Sequence, residues 1–404
     1  MTGRHAVVIG SGIGGLTAAV ALHRRGWRVT VLERAPSVDP VGAGIGLAPN
    51  AQRALDTIGL GDDIRALAAW QGAGGMRTPS GRWVARLDAA AAAERFGGPL
   101  VLLHRATLVD RIASRLPTGT IRTGTPAELV DPGVPGGTPA VVGTPAGELR
   151  ADLVVGADGI HSAVRRVLFP RHPGPRYAGL TAWRFVAPAP ELPFAPHETW
   201  GRGTLWGSHP MKDGRVYAYA AARAPEGAHA PDEHAELLRR FGDWHHPVPA
   251  LLDAAAGLPV LRHDVHHMTT PLPAFHRGRT VLLGDAAHAM APTLAQGGNQ
   301  AVEDGVVLAF HAAPDADPGA ALAAYTADRL PRTTAVVRRA ARVAALVSLD
   351  GRAAVALRTG LMSVTARLMP GAVLRGFDGI ADWRPPRHTY AAGAQDNPQH
   401  RRHM

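Results

Sequence analysis

The chain has 404 residues and not one cysteine, which removes disulfides, thiolate-bound metals, iron–sulfur clusters and cysteine nucleophiles together. Lysine is nearly as scarce. Lys212 is the sole lysine among 43 basic residues, so the other 42 are arginines and Schiff-base catalysis has almost no material to work with. Charged residues make up 19% and aromatics 5% of a chain that is 46% hydrophobic, a composition that supports a sizeable core and excludes disorder and collagen-like repetition. No segment offers the ~18 uninterrupted apolar residues of a membrane-spanning helix, because the alanine-rich stretches 87–93 and 335–346 are broken by charges. The first apolar strand starts at Ala6, leaving no room for a signal peptide, so a cytoplasmic protein without stable membrane association is expected. The net charge is +10, but the arginines are scattered singly and in pairs with no basic block, so no nucleic-acid partner is expected.

At ~150 residues per domain the length holds two to three domains' worth of chain. Residues 5 to 34 read as strand, glycine turn, helix and strand, a βαβ unit. Residues 48 to 69 look helical, 100 to 116 read as a short strand and an amphipathic helix, and 117 to 150 read as hairpins and turns. A second apolar strand at Leu153-Val154-Val155 runs into Gly156-Ala157-Asp158-Gly159. From 168 to 278 prolines and tryptophans multiply, and the alternation Val216-Tyr217-Ala218-Tyr219 predicts an antiparallel sheet with both tyrosines on one face. A third strand–turn–helix unit spans 280 to 309. The remainder is mostly helical, with a break or kink expected at Pro331. One α/β domain interrupted by a β-rich one accounts for this order.

The first turn, Gly10-Ser11-Gly12-Ile13-Gly14-Gly15, is a GxGxxG between strand and helix. Gly10 permits the tight turn, Gly12 lets a pyrophosphate approach the backbone, and Gly15 lets helix and strand pack closely, while free amides at the helix start meet phosphate charge. Glu33, at the end of the second strand, suits the adenosine ribose hydroxyls and argues against a 2′-phosphate, which favours FAD or NAD over NADP as the nucleotide held there.

The third unit carries Gly284-Asp285-Ala286-Ala287-His288 and Gln296-Gly297-Gly298-Asn299-Gln300; the second carries Asp158-Gly159 and Arg165. Together, and over nearly the whole length, these motifs resemble the class A flavoprotein monooxygenases, the single-component aromatic hydroxylases. The resemblance implies an α/β, para-hydroxybenzoate hydroxylase-like fold: a Rossmann-like FAD-binding domain from 1–70, 101–167 and 279–345, an inserted β-rich substrate domain from 71–100 and 168–278, and a helical C-terminal extension and tail at 346–404. It implies that Gly10, Gly12, Gly14 and Gly15 cradle the FAD pyrophosphate, Glu33 holds the ribose, Arg34 lies beside adenine, and Arg105 reaches the phosphate and ribityl region. It further implies that Asp285 binds a ribityl hydroxyl, that Asp158 and Arg165 contact FAD or the nicotinamide nucleotide, and that Gly42 to Asn50 lines one flavin face. The loop Pro292 to Asn299 should present the amides of Gly297, Gly298 and Asn299 to the electron-rich end of reduced flavin. Ala295 departs from the glycine frequent in the family. The implied reaction uses NADH or NADPH as a transient co-substrate and O2, with a C4a-hydroperoxyflavin delivering a hydroxyl to a small or medium aromatic or polyketide-like substrate.

Among the aromatic and basic residues of the β-rich segment, Arg184, His209 and Tyr217 are the candidates to bind a phenolate or carboxylate, with His209 a candidate general base. His288 sits in a cofactor motif where packing is the expected role. The pairs His245-His246 and His266-His267 lack metal-site spacing, so no metal is expected. An epoxidase or other oxidoreductase acting on an alkene, and a non-catalytic flavin-binding protein, are the alternative readings. A monomer or homodimer is expected.

Overall fold

The computed structural model describes residues 4–38, 43–67, 69, 74–98, 100–369 and 371–386. Strand His5–Ile9 pairs in parallel with Arg28–Leu32 on one side and Leu153–Gly156 on the other, and Leu153–Gly156 pairs in parallel with Thr280–Leu282. With the short strands Ile121–Arg122 and His276–Arg277 they form a six-stranded sheet. The run Ala6 to Val8 is fully buried, as a parallel strand covered on both faces must be. Because neighbouring strands run the same way, the glycine turn after Ile9, the turn after Gly156 and the turn after Leu282 all leave from one carboxyl edge.

A seven-stranded sheet stands against this half, in the order Leu261–His267, Arg176–Pro188, Arg215–Arg223, Thr204–Pro210, His197–Trp200, Gly74–Arg77 and Trp83–Leu87. Its outer face carries Trp183, Phe185, Trp206, Val216 and Ala218, packed with Phe241 and Leu251 of the helices Glu233–Phe241 and Val248–Ala254. Its inner face carries Leu180, Ala182, Trp200 and Leu205, which pack with Met290, Leu294, Val336 and Val337. Period-two alternation thus divides the aromatic residues: Trp183 and Trp206 belong to the outer core, Tyr217 and Tyr219 to the inner face, their rings 5.5 Å apart as the sequence pattern predicts.

Two helical expectations change. The stretch 48 to 69 is two helices, Pro49–Thr57 and Gly61–Ala66, because Gly59 turns at φ +72° between them. The helix Pro318–Val347 runs unbroken for 30 residues through Pro331. Buried contacts grip it on both sides of the proline: Arg329 is bound by carboxylates, Val336 and Val337 lie in the inner core, and Thr333 Oγ1 donates to the Arg329 carbonyl at 2.8 Å.

Candidate active site

The carboxyl edge of the six-stranded sheet collects the predicted nucleotide residues. Gly10 adopts φ +106°, and a Cβ there would lie 2.4 Å from the Ala157 carbonyl oxygen, so the turn accepts no side chain. A Cβ on Gly12 would meet nothing within 4 Å, which leaves open space above the start of helix Ile13–Arg24, an end that no side chain caps. Gly15 and Gly14 face the other way: a Cβ would strike the Gly10 carbonyl from the former and Leu283 from the latter, so both serve close packing. The Glu33 carboxylate accepts from Ser11 N–H at 2.9 Å, Ser11 Oγ at 2.7 Å and Ala35 N–H at 2.9 Å. Burial pushes this carboxyl up, but the hydrogen bonds and nearby Arg34 outweigh it and hold it below the usual range, so it stays an acceptor. Arg34 is exposed beside it, and Gly42 lies outside the described residues.

Asp285 is exposed while the residues around it, Leu283 to Met290, are buried. It opens the turn after Thr280–Leu282 and faces Gly297 at the start of helix Gly297–His311, whose end also lacks a side-chain cap. Arg105 opens helix Arg105–Ala113; surrounding protein lowers its pKa and the charge of Asp285 partly offsets this, while both residues are exposed on this edge. One oxygen of Asp158 accepts from Val164 N–H at 3.1 Å, while Oδ1 is buried without a partner. Arg165 is turned inward: it is 4% exposed and donates to the carbonyls of Ala286 and Ile160, so it braces one motif against another and has no reach left for a nucleotide.

The loop between the third strand and its helix holds Pro292 exposed and Ala295 at φ +51°, the one positive φ outside glycine among the described residues. The Asn299 side chain is spent inside the protein, accepting from Ala48 N–H at 2.8 Å and donating to the Gly46 carbonyl at 3.0 Å, so only its backbone amide remains for a ligand. Such an edge, with open space at a glycine turn, two uncapped helix starts, an exposed carboxylate and a buried acceptor lacking a donor, suits an elongated, polar, anionic dinucleotide.

Across from this edge stand the three substrate candidates. Arg184 and Tyr217 come from adjacent strands; burial pushes the Tyr217 hydroxyl up and the Arg184 guanidinium pulls it back. The Tyr217 ring lies against Gly44, where a Cβ would come within 2.3 Å of it, so the strand Gly44–Leu47 meets the sheet through a glycine. His209 is held at about 4 by burial and is therefore neutral at physiological pH; Nδ1 is buried without a partner and Nε2 lies 3.3 Å from Tyr219 Oη. Its ring stacks on Tyr219 at 5.6 Å.

A polar network beneath the loop had no signal in residue spacing. Glu303 and Asp304 are fully buried, and Arg329 donates to Glu303 Oε2 at 2.5 Å and Asp304 Oδ1 at 2.6 Å. His288 Nε2 lies 2.5 Å from Asp304 Oδ2, which also accepts from Gly284 N–H, so His288 packs into this network and faces no cleft. Asn50 and Gln300 complete it on Glu303. His245 and His266, in the histidine pairs, bond Thr199 and Glu226 respectively.

A family model described as an FAD binding domain matches residues 4–340. The chain is 38% identical to aurachin C monooxygenase/isomerase of Stigmatella aurantiaca over 89% of its length and 94% of that protein's. It is 37% identical to 3-amino-4-hydroxybenzoate 2-monooxygenase of Streptomyces cremeus, covering 83% and 86% of the two chains. Among solved structures, Klebsiella pneumoniae HpxO in complex with FAD and uric acid superposes with a TM-score of 0.82 at 27% identity, covering 93% of this chain and 97% of that one.

Proposed function

The chain belongs to the class A flavoprotein monooxygenases, FAD-dependent enzymes that hydroxylate aromatic compounds, and we propose that its own substrate is a small or medium aromatic or polyketide-like metabolite held between the inner face of the seven-stranded sheet and the loop 290–297. The observation that carries this reading is that Arg184, Tyr217 and His209 stand, with Tyr219 and Glu198 beside them, on a largely apolar wall that faces the nucleotide edge. Bound FAD supplies electron transfer and oxygen activation, with NADH or NADPH as a transient reductant.

The chain's own residues divide the remaining work. Gly10, Gly12, Gly14 and Gly15 shape the pyrophosphate turn, Glu33 and Arg34 hold the adenosine end, and Asp158, Arg105 and Asp285 serve the phosphate and ribityl part. Pro292 and the amides of Gly297, Gly298 and Asn299 receive the electron-rich end of the ring system. Arg184 orients an anionic or acceptor oxygen of the substrate, with Tyr217 donating beside it. A neutral His209 exchanges hydrogen bonds at the far side. The apolar residues Trp200, Leu205, Met290 and Leu294 keep water out. The segments 1–70, 101–167 and 279–345 form the FAD domain, 71–100 and 168–278 the substrate domain, and 346–404 the extension. The enzyme works in the cytoplasm as a monomer or homodimer.

The test is direct. Purified protein should be yellow with flavin absorbance, and a panel of aromatic compounds should contain one that accelerates NAD(P)H-driven flavin reduction and gains one oxygen atom by mass spectrometry. Colourless protein that cannot be reconstituted with FAD overturns the reading, and NAD(P)H oxidation to peroxide alone across the panel favours an oxidase.

A further inference from the structure

One row of paired residues crosses the inner sheet face. Arg184 pairs with Tyr219, Tyr219 with Gly207, and Gly207 with Glu198. Gly207 leaves the space that the neighbouring ring fills, since a Cβ there would lie 2.2 Å from Tyr219 Cζ. The ring therefore lies across the glycine, and its hydroxyl donates to Glu198 Oε1 at 2.5 Å, while Trp200 Nε1 donates to Oε2 at 3.0 Å. Glu198 and Tyr219 are half-buried, on the face shared by Trp200 and Leu205.

No cation is paired with Glu198 among the described residues, in a chain where arginines outnumber every partner a carboxylate needs. A carboxyl in such surroundings is costly unless something satisfies it, and each of its oxygens keeps a free lone pair. Three strand spacings of ~4.8 Å separate the Arg184 and Glu198 backbones, about 14 Å. Tyr219 stands between them on the same face, with its ring across Gly207 and its hydroxyl on Glu198, so a ligand that reaches both ends lies over that ring. The wall thus has a donor end at Arg184 and an acceptor end at Glu198.

Resting on the functional reading above, we propose that Glu198, positioned by Tyr219, is a specificity-determining residue that binds a hydrogen-bond donor of the substrate, an aromatic N–H or amino group placed opposite the oxygen that Arg184 holds. The substrate class is then an amino- or N–H-bearing hydroxyaromatic, in preference to a simple hydroxybenzoate whose second substituent is an anion.

Calorimetric titration of the FAD-loaded enzyme with 3-aminophenol, phenol and 3-hydroxybenzoate tests this. Wild type should bind 3-aminophenol about tenfold or more tighter than phenol, the effect of a hydrogen bond to a charged group. Glu198→Gln should lose most of that preference and bind 3-hydroxybenzoate as well as or better than wild type does. Equal wild-type affinity for 3-aminophenol and phenol overturns the proposal without any variant, as does a Glu198→Gln enzyme that weakens all three probes alike. Flavin absorbance read on the same samples separates the premise: yellow enzyme with no amine preference defeats this inference alone, whereas protein that takes no FAD defeats the functional reading and this inference with it.

Discussion

Asp285 stands exposed in a turn whose neighbours are all buried, and its carboxylate sits against the uncapped start of helix Gly297–His311 and in the field of Arg105. An exposed carboxylate with those surroundings contributes little to packing, so Asp285→Ala should leave the melting temperature of the FAD-free protein within a few degrees. FAD retention should instead fall about tenfold or more, the worth of a charged hydrogen bond, as read by fluorescence titration of released flavin. Unchanged flavin occupancy would count against the ribityl contact. Ala295 makes a complementary case. Its φ of +51° costs an alanine ~1–2 kcal/mol, and a glycine there returns roughly 0.5–1 kcal/mol of that to the entropy of the unfolded chain. Ala295→Gly should therefore stabilise the protein by up to ~1 kcal/mol in urea denaturation while loosening the loop to hydrogen exchange; a destabilised variant would show that the left-handed residue is not strained. The departure from the family's glycine, visible in the residue letters, is thus a local strain whose sign only the backbone angle supplies.

At the scale of elements, one ion network ties the third strand's turn to the helices on either side. Asp304 reaches back to Gly284 and His288, and Arg329 on the helix Pro318–Val347 binds both acidic residues of the helix Gly297–His311. Burial alone would raise the Asp304 carboxyl, but His288 and Arg329 outweigh it and hold it far below the usual range. Removing the guanidinium strips the shared partner from two buried carboxylates and leaves Arg332 on Glu303 and His288 on Asp304. Arg329→Met should cost ~3–5 kcal/mol by equilibrium denaturation and loosen FAD, because the loop 292–297 rests on the same network. A loss under 1 kcal/mol would mean that Arg332, which also binds Glu303 at 2.7 Å, carries the charge balance alone. The cofactor edge was legible in the sequence because GxGxxG, Glu33 and Gly-Asp encode backbone turns at the ends of strands, a local matter. Arg329 stands 25 residues from Asp304, and Glu198 meets Tyr219 only through the register of three strands. Neither relation leaves a periodicity to read. Pro331 misled for the opposite reason: its local meaning was sound, and distant packing overrode it.

For the whole molecule, acid is the disruptive condition, and its onset belongs to histidine. His197 is 1% exposed and held at about 4, chiefly by burial, and His209 is likewise held at about 4; both start from an ordinary value of 6.5. Burial also lowers His5, His245, His263 and His276. For a base whose folded pKa is depressed, nothing changes above 6.5. As pH falls from 6.5 toward 4 the unfolded chain takes up protons that the folded chain refuses, so stability falls, and below 4 this loss is complete. The ceiling is about 3 kcal/mol for each of the two strongest cases, reduced for His209 because that residue is only half-buried. Glu198, whose carboxyl burial pushes up, works the other way. Carboxylates held low, Asp304 and Glu33 among them, add their loss only below about 4. With 20 histidines on a chain already at +10, protonation also builds self-repulsion in the same direction. Urea denaturation at fixed pH should therefore show stability level from 8 to 7 and falling by several kcal/mol between 6.5 and 4.5, and His197→Gln should flatten that limb. A profile level down to pH 4.5 would show that the buried imidazoles take up protons in the native protein as readily as in the unfolded chain, so that His209 would become a cation as pH falls below its ordinary value of 6.5.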